Sequence, residues 1–132
     1  MKYRPDVQIY GNVTIGAGVD IAGPCDINGN HSSITIGDHA DIGAFGAITC
    51  ADSHKRCLGL SSEIERKPIK IGKRVFVGSH CLILGGVTIG HHCVVAGHTR
   101  VDPGIYPPYS LIYGAWPTRV KKGYYLTHEG EM

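Results

Sequence analysis

The sequence lacks a long apolar run, a strong net charge and a high content of charged residues. No stretch approaches 18 consecutive apolar residues, and Met1-Lys2-Tyr3-Arg4-Pro5 has no signal-peptide pattern, so nothing predicts a membrane span or export. The formal net charge is only +2, which excludes a strong electrostatic attraction to nucleic acid or to a membrane surface. We therefore expect a cytoplasmic protein that binds neither.

Glycine, in contrast, is abundant, and an aliphatic residue recurs at every sixth position. The sequence has 19 glycines in 132 residues, about twice the average usage of roughly 7%. A period of six matches neither a helix nor a lone strand. It predicts a β-coil that bends every six residues and buries its apolar residues between stacked turns. The periodic residues are Ile71, Val77, Ile83, Ile89, Val95 and Val101.

Three hexads per coil would stack side chains that lie eighteen residues apart, such as Ile71 on Ile89 and Val77 on Val95. Counting through two interruptions places Ile36, Ile42 and Ile48 beneath the same three columns. The repeat predicts one domain over residues 1–132, with a little over four coils at about 7–105 and a C-terminal tail at 106–132. Strand spacing makes such a prism about 20 Å tall.

The longer interruption separates Ile48 from Ile71 and predicts a protruding loop at 49–68. Loops longer than about 12–15 residues without a pattern of their own are commonly functional or disordered. We favour a functional loop, because it contains His54, and histidine suits general-base catalysis near neutral pH. The shorter interruption, Asn28–Ser33, carries no motif tied to a ligand.

The five cysteines predict a reduced protein without disulfides. Cys25, Cys81 and Cys93 occupy small inward positions of their hexads, where a core role is expected. Cys50 and Cys57 lie on the loop, and the sequence offers no fixed partner for covalent catalysis through Cys57.

Several motifs in order resemble the left-handed β-helix acyltransferase family, in particular its small sugar and antibiotic O-acetyltransferases. They are Lys67-Pro68 with Ile71-Gly72, Val77-Gly78, Ile83-Leu84-Gly85-Gly86-Val87-Thr88-Ile89-Gly90 and Ala96-Gly97. The resemblance implies an all-β, left-handed parallel β-helix that acts as a homotrimer, with active sites between neighbouring prisms. It also implies acetyl-CoA as co-substrate, no metal, and His54 as the general base.

One edge of the prism is expected to hold the coenzyme. Gly78 and Ala96 are eighteen residues apart and small, and the resemblance implies that the Gly78 N–H meets the acetyl carbonyl and the Ala96 N–H the pantetheine amide. Ser79 and Gly97 continue this edge. By the same resemblance, Arg119 lies near the coenzyme phosphates, within the basic cluster that includes Lys122. Small residues that serve only the bends, and a solvated basic tail, are the alternatives.

The reaction predicted is transfer of an acetyl group to a hydroxyl of a saccharide, a nucleotide-sugar or a similar small acceptor, by direct attack. The alternatives are a γ-type carbonic anhydrase, whose histidine spacing is not matched by His91, His92 and His98, and a non-catalytic binding solenoid. The sequence leaves open the acceptor, O- against N-acetylation, and the acyl group. It also leaves open the roles of Trp116 and of His80 and His98, which should lie one above the other.

Overall fold

The computed structural model describes residues 5–127, and the first four and last five residues lie outside it. The fold class predicted from the sequence is confirmed. The chain is an all-β parallel solenoid of about five turns, with the architecture of a left-handed β-helix. Each turn contributes one short strand to each of three faces, because bends recur about every six residues. In residues 5–127, no helix is long and apolar enough to span a membrane.

The three faces are built from parallel strands of successive coils. Strands Val7–Ile15 and Cys25–Ile36 cross a corner and contribute to both the first and the second face. The first face continues with Gly46–Thr49, Leu82–Leu84 and Arg100–Val101. The second continues with Ile69–Ile71, Val87–Ile89 and Gly104–Tyr106. The third contains Asp20–Ile21, Asp41–Ile42, Phe76–Val77, Val94–Val95 and Leu111–Tyr113.

The stacking predicted from the eighteen-residue spacing is confirmed in every column. Ile36 pairs with Ile71 and Ile71 with Ile89, while Ile83 lies between Ile48 and Val101. The third column contains Ile42, Val77 and Val95. All of these side chains are buried and form one core cluster. The stack therefore derives its stability from repeated burial of aliphatic side chains between neighbouring coils.

The corners place non-glycine residues in left-handed backbone conformation. His80 and His98 have φ of 61° and 59°, and His92 has φ of 55°. This region is uncommon for residues with a side chain. It recurs here because each short strand must end in a sharp bend, which directs the corner side chain outward.

The coil is longer than the sequence predicted at its C-terminal end. Gly104–Tyr106 and Leu111–Tyr113 complete a fifth turn, and Ile112 stacks on Val95. The residues from 106 to 113 therefore belong to the coil and not to the tail. The six-residue period is hidden there, because Tyr106 follows Val101 by five residues and replaces an aliphatic residue. Beyond it, Arg119–Lys121 pairs antiparallel with Leu111–Tyr113, and Tyr124–Thr127 forms a short helix.

Both interruptions of the repeat lie at the corner between the first and second faces, which we call the loop corner. The long loop contains an antiparallel pair, Ala51–Asp52 with Glu65–Arg66, and the short helix His54–Cys57. The Arg66 guanidinium donates to the Asn30 carbonyl oxygen in the shorter interruption at 3.1 Å. The loop thus has regular structure of its own and is tied to the coil below.

Candidate functional site

His54 lies at the start of the loop helix and is hydrogen bonded to Asp52. Its Nδ1 is 2.5 Å from Asp52 Oδ1, and its backbone N–H donates to the same oxygen at 3.2 Å. An ionised carboxylate only accepts, so Nδ1 carries the proton and Nε2 has a free lone pair. Within residues 5–127, Nε2 contacts no hydrogen-bond partner. About half of the His54 side chain is exposed, so a substrate can reach it.

The ionised form of the Asp52 carboxyl is the form that accepts the hydrogen bond from His54. The hydrogen bond from His54 lowers the pKa of the Asp52 carboxyl below its usual value, because it favours the ionised form. The carboxylate therefore keeps the imidazole in one tautomer and would stabilise an imidazolium formed during catalysis. Asp52 was not identified from the sequence. Its position two residues before His54 on an extended segment was the available signal.

The four predicted coenzyme residues of the coil meet at the corner between the third and first faces, which we call the small-residue corner. Gly78 and Ser79 lie one coil below Ala96 and Gly97. The two amides predicted as donors are already engaged within the chain, since the Gly78 N–H donates to Val95 O at 2.8 Å and the Ala96 N–H to Ile112 O at 2.9 Å. Both amides belong to the hydrogen-bond ladder that holds neighbouring coils together.

The next two amides along the chain are the ones available to a ligand. Neither the Ser79 N–H nor the Gly97 N–H donates to any atom of the described residues, and both residues are exposed. Gly78 is buried, and a Cβ there would lie 2.7 Å from Gly97 N, whereas a Cβ at Gly97 would meet only Ser79 O at 3.4 Å. Gly78 therefore keeps the coils close, and Ser79 and Gly97 form the accessible surface.

A column of flat rings lies beside these amides. The predicted stacking of His80 on His98 is confirmed, with ring centroids 4.8 Å apart and planes 10° apart. Phe45 extends the column below, 4.9 Å from His80, and 60% of this residue is exposed. The three side chains lie parallel because their residues occupy equivalent left-handed positions in successive coils.

His54 and the small-residue corner lie on opposite sides of the first face. Ser79 precedes the first-face strand Leu82–Leu84, whereas the loop that carries His54 follows the first-face strand Gly46–Thr49. No contact joins His54 to Gly78, Ser79, Ala96 or Gly97 in the described residues. A single chain therefore holds the predicted base and the predicted coenzyme track at separate corners.

A cavity of about 380 Å³ opens between the loop and the first face. Asp52 and Glu65 line it from the loop, Lys67 from the loop's return to the coil, and Arg100 from the fifth coil. The apolar part of the lining comes from Leu82, Leu84 and Pro103. The Asp52–His54 pair therefore adjoins, through Asp52, a partly open cavity with charged and apolar walls, as expected for a small-molecule site.

Arg100 is held in place by its neighbours, and its role was not identified from the sequence. Its Nε donates to Asp102 Oδ1 at 2.9 Å, and its guanidinium carbon lies 4.7 Å from the ring centroid of Trp116. Thr118 Oγ1 accepts from the Asp102 N–H at 3.0 Å. The rest of the Trp116 ring is open to solvent, since 75% of the residue is exposed. Its contact with Arg100 is the feature that a sequence pattern could not reveal.

The predicted phosphate-binding residues lie at the C-terminal end of the stack. Arg119 begins the antiparallel strand that pairs with Leu111–Tyr113, and Lys122 follows it; both are exposed. The intervening Lys121 packs its ammonium group 5.7 Å from the ring centroid of Tyr113. The structure leaves Arg119 and Lys122 accessible to an anion but brings neither to the loop.

All five cysteines are free, and four of them are buried. Burial raises the pKa of the thiols of Cys25, Cys50, Cys81 and Cys93. Cys50 lies beneath the loop, where its Sγ is 3.4 Å from Ser33 O, and Cys57 is exposed on the helix. A protonated, buried thiol is a poor nucleophile, so Cys50 is unsuited to covalent catalysis.

The remaining histidine pair lies at the corner between the second and third faces. His91 Nδ1 and His92 Nδ1 are 3.0 Å apart, and Tyr109 packs against both rings. Burial and the nearby charges of His91, Arg74 and Lys73 lower the pKa of His92. Among residues 5–127, no three side chains of the metal-ligating types converge. The pair therefore does not form the three-histidine site of a γ-type carbonic anhydrase within one chain.

Comparison with known proteins agrees with the coil and its repeat. The model of the bacterial transferase hexapeptide repeat matches residues 68–103. A hexapeptide-repeat-containing acetyltransferase from Vibrio cholerae O1 biovar eltor, solved with acetyl coenzyme A, is 32% identical. That alignment covers 84% of this chain and 60% of the other, with a TM-score of 0.73. A search of curated proteins finds no match.

Two further solved structures are similar to the chain. A galactoside acetyltransferase in complex with coenzyme A is 27% identical over 86% of this chain and 64% of its own, with a TM-score of 0.63. The polysialic acid O-acetyltransferase OatWY is 26% identical over 89% of this chain and 60% of its own, with a TM-score of 0.70. The chain thus spans less than two thirds of the length of all three. These likenesses agree with the motifs found in the sequence: the chain is a hexapeptide-repeat protein with the fold of the hexapeptide-repeat acetyltransferases.

Proposed function

We propose that the protein transfers an acetyl group from acetyl-CoA to a hydroxyl of a saccharide or a similar small acceptor. The observation that carries this proposal is the Asp52–His54 pair, in which Nδ1 is engaged and Nε2 has no partner among the described residues, while Asp52 lines a cavity. The similar acetyltransferases that were solved with acetyl coenzyme A or coenzyme A support the choice of co-substrate. One similar protein is named as an O-acetyltransferase, which supports a hydroxyl acceptor.

The reaction needs no covalent enzyme intermediate. His54 Nε2 takes the proton of the acceptor hydroxyl while its oxygen attacks the thioester carbonyl carbon. The C–O bond forms and the carbonyl oxygen becomes an oxyanion. As the oxyanion collapses, the C–S bond breaks and the proton on His54 passes to the leaving thiolate. Asp52 stabilises the imidazolium through Nδ1–H in the intervening state.

The small-residue corner supplies the donors for the coenzyme. The N–H of Ser79 meets the thioester oxygen and that of Gly97 meets a pantetheine amide, since both residues are exposed and neither amide donates to an atom of the described residues. Gly78 and Ala96 keep the track narrow beneath them. Arg119 and Lys122 bind the phosphates at the far end of the coenzyme, as ion pairs with phosphate oxygens.

A homotrimer joins the two halves of the site. One chain holds His54 and the small-residue corner on opposite sides of its first face, so catalysis requires the loop of one copy to meet the corner of the next. A heterologous interface, which joins one patch of a chain to a different patch of the next copy and closes into a ring, has the required geometry. Phe76, with 45% exposure, and the half-buried Leu82 and Val94 supply apolar surface for it.

The test measures thiol release from acetyl-CoA with a panel of neutral sugars, acidic sugars and nucleotide-sugars. His54→Ala should lower kcat by about 10²–10⁴-fold, the range for loss of a general base. Asp52→Asn should lower it by about 10- to 100-fold, the cost of one hydrogen bond to a charged group. Both should leave coenzyme affinity unchanged. His31→Asn, at an exposed left-handed position away from the cavity, is the control. Full turnover by His54→Ala would disprove the mechanism.

A further inference from the structure

The cavity beside the Asp52–His54 pair contains two acidic and two basic side chains whose hydrogen-bonding groups are not equally engaged. Asp52 and Glu65 supply the carboxylates, and Lys67 and Arg100 supply the cations. A cavity whose charged groups were all hydrogen bonded to one another would favour a neutral ligand. The pairing partners of each group therefore decide which ligand the cavity prefers.

Both carboxylates already have a partner on the loop. Asp52 accepts from His54, and Glu65 Oε1 accepts from Lys55 Nζ at 2.8 Å. The ammonium of Lys55 lowers the pKa of the Glu65 carboxyl, so Glu65 is ionised and paired at neutral pH. Neither His54 nor Lys55 is among the lining residues, so both carboxylates are hydrogen bonded to groups that do not themselves line the cavity.

The two cations that line the cavity retain donors without a partner in the described residues. Arg100 uses Nε for Asp102, and its two terminal nitrogens donate to no atom of residues 5–127. The Lys67 ammonium likewise has no acceptor in that range, while its stem lies near the Cα of Gly86, where a Cβ would be 3.4 Å from Lys67 Cδ. Trp116 packs on the guanidinium face and, with Asp102, limits its rotation. A fixed guanidinium with two free parallel donors matches an oxyanion.

We propose that this cavity binds an anionic substituent of the acceptor, a carboxylate or a phosphate, through Arg100 and Lys67. The acceptor is then an acidic sugar, such as a uronate or a sugar phosphate, held with one hydroxyl toward His54. This inference rests on the proposed function, because that function places the acceptor hydroxyl beside His54.

The phosphates of the coenzyme are also anions, and they are the alternative ligand for Arg100 and Lys67. The pantetheine arm separates those phosphates from the thioester, and the thioester must reach His54. The cavity wall includes Asp52, which contacts His54 directly. An anion bound by Arg100 and Lys67 therefore lies near the reacting end, where the acceptor binds.

The experiment compares matched pairs of acceptors: methyl glucuronide with methyl glucoside, methyl galacturonide with methyl galactoside, and glucose 6-phosphate with glucose. For the wild-type protein we expect a KM at least about tenfold lower for the acidic member of at least one pair, the usual effect of a charge-assisted contact. Equal KM values within every pair would overturn the inference.

Two substitutions identify the residues. Lys67→Met and Arg100→Gln should each raise KM for the acidic acceptor by about tenfold or more, with little change for the neutral member and in KM for acetyl-CoA. Lys70→Met, an exposed lysine on the second face, should change none of these values. A rise in KM for acetyl-CoA with the acidic preference unaltered would assign the cations to the coenzyme and contradict the proposal. Arg100→Gln removes the charged partner of Asp102, whose carboxylate then keeps the hydrogen bond from Thr118 Oγ1 at 3.0 Å. Lys67→Met therefore provides the test that does not depend on local folding.

Calorimetric titration of methyl glucuronide, methyl galacturonide and glucose 6-phosphate, without acetyl-CoA, separates this inference from the proposed function. If the protein binds at least one of these anions, if Lys67→Met abolishes that binding, and if no acetyl group is transferred, then the anion site is supported and the acetyltransferase function is rejected. Acetyl transfer to acidic and neutral sugars with equal KM would support the acetyltransferase function and reject the anion site.

Discussion

Gly78 and Gly97 lie at the same corner of the prism but have very different surroundings. A Cβ at Gly78 would lie 2.7 Å from the backbone nitrogen of Gly97, which no side chain can tolerate without movement of the coil. A Cβ at Gly97 would be in ordinary contact with Ser79 O at 3.4 Å. One glycine therefore maintains the stack, and the other leaves its surface open.

This difference predicts that Gly97→Leu weakens coenzyme binding while the fold is retained. The side chain would cover the exposed surface of Ser79 and Gly97, and an obstruction of this kind costs about 1–3 kcal/mol. KM for acetyl-CoA should rise by about tenfold or more, while Tm stays near the wild-type value. Gly97→Ala, which adds one carbon only, is the control. Unchanged KM in Gly97→Leu would show that the coenzyme does not use this corner.

Thr99 provides a second prediction at this scale. It occupies an inward position of the repeat, is 1% exposed, and its Oγ1 has no hydrogen-bond partner among the described residues. A buried hydroxyl without a partner costs about 1–3 kcal/mol. Thr99→Val has nearly the same shape and should raise the free energy of unfolding by about 1 kcal/mol, measured by denaturant titration. Thr35→Val, on the exposed side of the second face, should change it little. A loss of stability in Thr99→Val would reveal a partner for the hydroxyl.

Among the elements, the loop depends on a close approach to the coil at the loop corner. A Cβ at Gly85 would lie 2.6 Å from Cys50 O and 3.0 Å from Lys67 O, the two points where the loop leaves and rejoins the coil. The Lys67 N–H also donates to Cys50 O at 3.2 Å, which closes the base of the loop. The absence of a side chain at Gly85 thus positions the Asp52–His54 pair relative to the cavity.

We expect Gly85→Ala to displace the loop without unfolding the coil. Amide hydrogen exchange over residues 50–67 should increase, and kcat should fall because His54 is misplaced. The core columns should keep their protection, since they lie on the other side of the backbone. Gly97→Ala is again the matched control at a corner glycine. Unaltered exchange in the loop would mean that the loop is held by contacts other than this one.

For the whole molecule, the separation of the two half-sites predicts a homotrimer. Sedimentation equilibrium should give three times the chain mass of 14.2 kDa. Phe76→Lys, at an exposed position of the third face, should lower both the measured mass and the activity. A monomeric wild-type protein with full activity would contradict the shared site. Lys70→Met, on another face, should leave the mass unchanged.

The sequence alone was sufficient to predict the coil, its stacked columns and the position of its main loop. A side chain that must be buried recurs at a fixed interval, and identical intervals in a parallel stack force residues such as Ile71 and Ile89 to meet. The end of the coil was underestimated because Tyr106 breaks the interval while still filling the core. His54 could be identified by its place on the loop, although its catalytic role stays a prediction.

Tertiary structure decided which polar groups are free and which are already used. Sequence placed Gly78 and Ala96 at the coenzyme edge, but only the ladder shows that their amides are engaged and that those of Ser79 and Gly97 are not. The pairing of Asp52 with His54, and the contact of Arg100 with Trp116 across sixteen residues, depend on loop conformation and on coil ends. Neither contact can be predicted from the six-residue period. Contacts between side chains depend on differences in distance of a few tenths of an ångström, which the period does not specify. The six-residue period determines the coil and its stacked columns, whereas contacts between individual groups determine which of them are free to bind or react.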